Sequence, residues 1–269
     1  GYVGADTVGV ILATGLYKGD GVKLAIDIGT NGEMVLKDGD KLFACSTAAG
    51  PAFEGANITY GMRGARGAID HVSIDDGEIN VHVIDDVTPV GICGSGLLDA
   101  VAVMIELGIL DETGRIVCPE GIIVRDTIRK NNNGLEFVLR ANGGEIPINQ
   151  RDIRELQLAK SAIRAGIEIL LEETGRDYSD IDTVYLAGAF GTYLNPESAI
   201  KIGLLPPLPV SRVYSVGNAA GEGAKLALLD RDIRRIAEEV SRKVNYIELS
   251  SRRDFQEKFA EFMYFEVNR

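Results

Sequence analysis

The chain has 269 residues, 45% of them apolar and 25% charged, with 28 basic against 40 acidic side chains and a net charge of −12. That size and apolar share suffice for a large buried core in one or two domains, whereas the acidic balance and the lack of Trp argue against nucleic acid as a partner. No apolar run approaches the roughly 18 residues of a membrane helix, and three scattered cysteines suit a reducing compartment, so a cytoplasmic protein without membrane contact or signal peptide is expected.

Residues 5–15 read as a helix. Residues 23–29, 32–37 and 41–46 read as a three-strand meander, the last two joined by Asp38-Gly39-Asp40. Within it, LAIDIGTNGEMVL (24–36) places a polar turn between two apolar runs. Asn31-Gly32 there is first of all a hairpin signal. Gly29 and Gly32 also leave the turn's amides uncrowded, so they can converge on an anion, and Asp27 at the strand lip can hold a hydrated magnesium through water. Glu33 reads as exposed or capping, as does Glu54, rather than as a base. STAAGPAFEGA (46–56) follows the last strand, with Pro51 suited to the first turn of a helix over 51–60. Ser46 and Thr47 there are either polar caps or hydroxyls presented to a phosphate or a partner's cofactor.

In GMRGARG, Arg63 and Arg66 read as a salt-bridged loop pair. Residues 67–85 form a hairpin about Asp75-Asp76-Gly77, with His71 and His82 as a cross-strand surface pair. GICGSGLLDA (91–100) turns tightly into a buried helix over 97–110, with an anion contact at its N-terminus as the lesser option. The intervals of Gly91, Gly94 and Gly96 do not make G-x-G-x-x-G, and no phosphate-loop motif G-x-x-x-x-G-K-S/T exists in the chain. Cys93 reads as a packed thiol. Short strands over 121–149 are broken at 131–134 and 142–144. A helix from about 150 to 174 carries Ile153, Leu156, Ala159, Ile163, Ile167 and Leu170 on one stripe. DTVYLAGAFG (182–191) and RVYSVGNAAGEG (212–223) are strands that empty into glycine and then a helix, junctions where bare backbone can meet a ligand. The chain closes with a helix over 233–244, a strand over 245–249 and a helix over 252–264.

DIGTNGE (27–33), LAGAFGTYLNP (186–196) and SVGNAAGEGA (215–224) resemble the nucleotide cleft of the acetate/sugar kinase, heat-shock chaperone and actin superfamily. With GYVGADTVGVILATG (1–15), STAAGPAFEGA, GICGSGLLDA and RDIRELQLAKSAIRAGI (151–167), the chain is similar almost end to end to the ATP-dependent reductive activators of corrinoid proteins. The resemblance implies a ribonuclease H-like three-layer α/β fold, a mixed sheet with helices on both faces. It implies ATP with magnesium, the phosphates at Asp27, Gly29, Thr30, Asn31 and Gly32, and the adenosine near Gly188, Ala189, Phe190, Gly191, Gly217 and Asn218. Ser46 and Thr47 become contacts for a corrinoid protein, and the chain a homodimer that binds neither nucleic acid nor membrane. No catalytic residue stands out.

Two departures from the family pattern shape the expected organisation. Cys45, Cys93 and Cys118 lack any C-x-x-C spacing, so the 2Fe–2S cluster of such activators is expected only in an N-terminal ferredoxin-like region outside this chain. Only one phosphate hairpin is legible, and Gly1 reads as mid-helix. Residues 1–269 are thus expected to be the second half-domain of the cleft, with an insertion at about 61–149 and a C-terminal extension at about 231–269. A small-molecule kinase of the same superfamily is the alternative, although it needs a placed carboxylate base. A non-enzymatic dimerising scaffold, its glycine corners serving only to pack, is another.

Overall fold

A computed structural model describes residues 4–119, 127–132 and 134–266, apart from the side chain of Ala189. The described residues divide between two compact units, Gly1–Ala48 with Ala162–Leu194 and Pro206–Phe259, and Ala49–Ser161 with Asn195–Leu205 and Ala260–Arg269.

The first unit is built on a six-stranded sheet. β1 (Val22–Ile28), β2 (Gly32–Asp38) and β3 (Lys41–Thr47) form the expected antiparallel meander. β10 (Ile181–Ala187) lies parallel to β1, β11 (Val213–Gly217) parallel to β10, and β12 (Val244–Tyr246) parallel to β3 on the far edge. The order is β11-β10-β1-β2-β3-β12, a mixed sheet as the sequence implies.

Alternation sorts the side chains between two faces. Ala25, Val35, Ala44 and Ala187 pack with Val10 and Ile11 of helix α1 (Ala5–Thr14), Ala219 of α6 (Ala219–Leu229) and Val240 of α7 (Arg231–Lys243). On the other face Gly32 and Met34 meet Ile163 and Gly166 of α3 (Gln150–Thr174). A methyl group on Gly32 would lie 2.9 Å from Ile163 Cγ1, so this glycine serves close packing. Helices α1 and α6 touch backbone to backbone. A methyl on Gly9 would lie 2.6 Å from the Ala220 carbonyl oxygen, and one on Gly223 only 2.0 Å from that of Gly9.

The second unit holds two three-stranded sheets. β4 (Ala68–Asp75), β5 (Glu78–Val83) and β6 (Gly91–Ile92) form one, β7 (Ile128–Asn131), β8 (Gly134–Ala141) and β9 (Gly144–Asn149) the other. Asp76 and Gly77, at φ 49° and 79°, turn the first hairpin as Asp-Gly predicts. α2 (Gly94–Glu106) packs on α5 (Pro196–Lys201) and on β4, where a methyl on Gly96 would meet the Ile69 carbonyl oxygen at 2.3 Å. The start of α3 is a capping box: Asn149 Oδ1 accepts from the amides of Arg151 and Asp152, and Asp152 Oδ2 accepts from that of Asn149. The six stripe residues of α3 are all fully buried. The buried side chains of Gln157 and Lys160 hold the end of the chain. Gln157 Nε2 donates to the Met263 carbonyl, and Lys160 Nζ to that of Tyr264, both at 2.6 Å, with Lys160 over the Phe265 ring.

Several expectations are corrected. Residues 51–60 contain one 3-10 turn, Pro51–Glu54, because Gly55 at φ 80° ends it at once. α2 begins at Gly94, its glycines supplying close approach to β4. Arg63 and Arg66 are exposed, and among the described residues no ion pair is formed by either. His71 and His82 are cross-strand partners as expected, yet each is bonded to a carboxylate. Residues 120–126, part of the expected strand region, lie outside the described residues.

Candidate functional site

The sheet of the first unit brings three predicted segments together at the carboxyl ends of its parallel strands. Asp27 is in register with Ala187, and Ala187 with Gly217. Two inter-strand steps of about 4.8 Å put Asp27 and Gly217 about 10 Å apart. In the other direction Asp27 pairs with Glu33, and Glu33 with Ser46. Residues in register share a face, so Gly217, Ala187, Asp27, Glu33 and Ser46 form one row across five strands. It lies on the side of Ala25, Val35 and Ala44, which is the side of α1 and α6.

Ligands of open α/β sheets bind outside the carboxyl ends of strands. Three further features mark this edge. Gly188 follows β10 at φ 93°, and a methyl on it would lie 2.7 Å from both Asp27 Oδ1 and the Ile28 carbonyl oxygen. Only glycine lets the backbone come so near the carboxylate. Gly217 ends β11 at φ 63°, and Asn218 then caps α6, its Oδ1 accepting from the Gly221 amide at 2.9 Å. Thr192 Oγ1 donates to the Gly188 carbonyl at 3.3 Å and Ser215 Oγ to that of Gly191, which ties α4 (Gly188–Gly191) to the ends of β10 and β11.

The electrostatics of the row are those of crowded acids. Burial raises the pKa of Asp27 above its ordinary value, and the Asp6 charge from the first turn of α1 raises it further. Burial likewise raises Glu33, followed by the charges of Asp27 and Asp6. Glu33 is therefore a half-buried member of the site and not the exposed or capping residue its sequence suggested. A cation beside Asp27 would relieve this repulsion. Among the described residues no group of three or more His, Cys, Asp and Glu is arranged as a direct metal site.

Other residues fall into place differently. Thr30 and Asn31 are exposed at the hairpin tip between β1 and β2. The Gly29 amide closes the tip by donating to the Asn31 carbonyl at 3.1 Å, so it does not point outward. Gly32 is buried against Ile163. Phe190 and Gly191 lie in α4, at the turn from β10, with Ala189 between them in the chain. Thr47 points to the opposite face from Ser46 and is buried, its hydroxyl donating to the Gly32 carbonyl at 3.4 Å; it is not part of Ser46's surface. Cys45 and Cys93 are buried, and burial pushes the Cys45 thiol far up. Sequence reasoning missed Asp6 and the placement of Glu33. The two-residue step from Glu33 to Val35 carried the signal, since both must share a face.

Residues 21–268 match the family described as the C-terminal domain of RACo, the ASKHA domain. The chain is 39% identical over 268 residues to the corrinoid activation enzyme RamQ of Eubacterium limosum, covering 96% of this chain and 45% of RamQ. It is 29% identical over 264 residues to the Co(II) methylated amine-specific corrinoid protein reductase of Methanosarcina barkeri, covering 90% and 45%. A solved structure, the reductive activator for corrinoid, iron-sulfur protein, superposes with a TM-score of 0.87 at 42% identity, over 98% of this chain and 43% of that one. The chain thus spans less than half the length of these relatives. With a family match over nearly its whole length and the mixed sheet that match implies, the chain belongs to the RACo C-terminal ASKHA-domain family.

Proposed function

We propose that this chain is the nucleotide-responsive part of an activator that uses ATP to drive a corrinoid protein from cobalt(II) to cobalt(I). One observation carries the reading: Asp27, the Ala187–Gly188 turn and Gly217 meet at one sheet edge, with glycine backbone against the carboxylate. The names of the similar proteins supply the reaction. Magnesium-ATP, when bound, supplies the free energy for an otherwise uphill electron transfer. Asp27, an oxygen ligand in a crowded acidic setting, suits magnesium held through water. Thr30 and Asn31, exposed at the hairpin tip, would donate to the phosphates, and the backbone from Gly188 to Gly191 would lie against the purine. Asn218 is exposed at the same corner, its Oδ1 being committed to the cap. Ser46, at the other end of the row, is the contact for the corrinoid protein. Nucleotide can switch that contact only by binding two states of the activator unequally.

On this reading the chain carries one side of the cleft, the 2Fe–2S cluster belongs to another part of the protein, and the activator is a cytoplasmic homodimer. Two or three missing charge-assisted hydrogen bonds, each of about 1.5–3 kcal/mol, would leave the chain alone with ATP affinity roughly a thousandfold below that of the whole activator. The decisive experiment uses a full-length activator containing this chain, comparing corrinoid-stimulated ATP hydrolysis and cobalt(I) formation with those of Asp27→Ala. Both activities are expected to fall together. Turnover indifferent to Asp27→Ala, or phosphorylation of a small alcohol in place of cobalt reduction, would refute the reading.

A further inference from the structure

The chain contains two histidines, and both stand in the same arrangement in the second unit. His71 on β4 and His82 on β5 are register partners across the hairpin, at an irregularity that leaves Asp70 and His71 both opposite His82. His71 Nδ1 lies 2.5 Å from Asp99 Oδ2, and His82 Nδ1 lies 2.5 Å from Asp70 Oδ1. Asp99 is 2% exposed and also accepts from the Val72 amide at 3.3 Å, so it is a fixed anchor reaching from α2. The two imidazoles remain about half exposed, at 49% and 55%.

We propose that His71 and His82 form a binding site for one divalent transition-metal ion of the Ni2+, Cu2+ or Zn2+ class, with Asp99 and Asp70 orienting the two rings. A carboxylate accepts hydrogen bonds, so each Nδ1 carries a proton, and the neutral ring that a metal takes then presents its lone pair at Nε2. Metal-binding histidines characteristically donate their second ring N–H to a carboxylate, which fixes the tautomer and raises ligand basicity. A surface pair that serves only packing needs no such anchoring, least of all by a buried aspartate. Paired positions on adjacent strands have Cβ atoms about 4.5–5.5 Å apart. From that spacing two imidazoles can reach one tetrahedral ion with metal–nitrogen bonds of about 2.0–2.1 Å. Among the described residues no third His, Cys, Asp or Glu completes a cluster, so water fills the remaining positions and the site is open to a ligand from outside. Imidazole ligands exclude magnesium and calcium as occupants. A bound ion would staple β4 to β5 across the irregularity.

The test is titration calorimetry of the 269-residue chain with NiCl2, beside His71→Gln, His82→Gln and Asp70→Asn, with circular dichroism to show that each variant keeps its fold. One ion per chain is expected, with at least tenfold weaker binding in either histidine variant. Asp70→Asn, which leaves both rings in place, is expected to weaken binding roughly tenfold through lost orientation and basicity. No saturable binding, or binding that survives both histidine changes, would overturn the site. Unchanged affinity in Asp70→Asn would overturn the orienting role of the carboxylates.

Discussion

Gly188→Ala tests the close approach on which the candidate site depends. At φ 93° an alanine lies outside the left-handed region that non-glycine residues use, a strain of about 1–3 kcal/mol. Its methyl would sit 2.7 Å from Asp27 Oδ1, 2.7 Å from the Ile28 carbonyl oxygen and 3.2 Å from the Ile28 nitrogen. The carboxylate can swing aside, but the Ile28 atoms are backbone at the end of a strand paired on both sides, so the sheet itself must yield. Overpacking of that kind adds about 1–3 kcal/mol. The total, about 2–6 kcal/mol, corresponds to a fall in melting temperature of roughly 5–20 °C for a chain of this size. Gly39→Ala is the control. Gly39 also has positive φ, 55°, but nothing lies within 4 Å of the added methyl, so only mild strain should appear, about 1 kcal/mol. Thermal melts of the two variants beside the parent decide the matter. Equal shifts in both would refute the claim that backbone crowding at Asp27 sets the requirement for glycine.

Glu33→Gln should change the pH dependence of stability. Because the folded pKa of Glu33 is raised, its contribution is present below the ordinary 4.5 and is lost as pH rises through the folded value. The melting temperature of Glu33→Gln relative to the parent is therefore expected to climb as pH rises from below 4.5 through the folded value; a flat or falling difference would contradict the crowding of Glu33 with Asp27 and Asp6. Asn218→Ala removes the side-chain cap of α6 and is expected to cost about 1 kcal/mol, read as a melting shift of roughly 2–4 °C. Lys160→Met keeps most of the side-chain volume but deprives the Tyr264 carbonyl of this donor, at about 1–3 kcal/mol. Cleavage by a protease between residues 260 and 266 should accelerate, followed by mass spectrometry, and an unchanged rate would remove Lys160 from the clamp.

The meander, the hairpin at Asp76-Gly77 and the long helix were legible in the sequence because each rests on local chemistry: alternation, turn residues, and a 3.6-residue stripe with a cap. The site was legible only in its pieces. Which strands lie side by side, and in what register, is decided by pairings between distant segments, and a slip of one residue exchanges the two faces. That is why Glu33 read as a surface acid although register places it between Asp27 and Ser46. It is also why Ser46 and Thr47 read alike. Gly32 looked like a turn residue because its packing partner, Ile163, comes from a helix far along the chain. The His71–Asp99 bond was hidden for the same reason, since strand and helix meet only in the folded unit.

The contact between α1 and α6 has a mechanical consequence. Most packed helices are separated by side chains, whose rotamers can absorb a small displacement of one without moving the other. Between Gly9 and Gly223 there is nothing to rearrange, because main chain rests on main chain. The two helices must therefore translate as a single bar. One end of that bar carries Asp6, whose charge acts on Asp27 and Glu33; another begins at the Gly217–Asn218 corner, where β11 ends. A shift of this corner by a fraction of an ångström would carry the charge of Asp6 with it. Geometry at one side of the strand ends is thereby converted into electrostatic potential at the other, without an intervening chain of side-chain contacts.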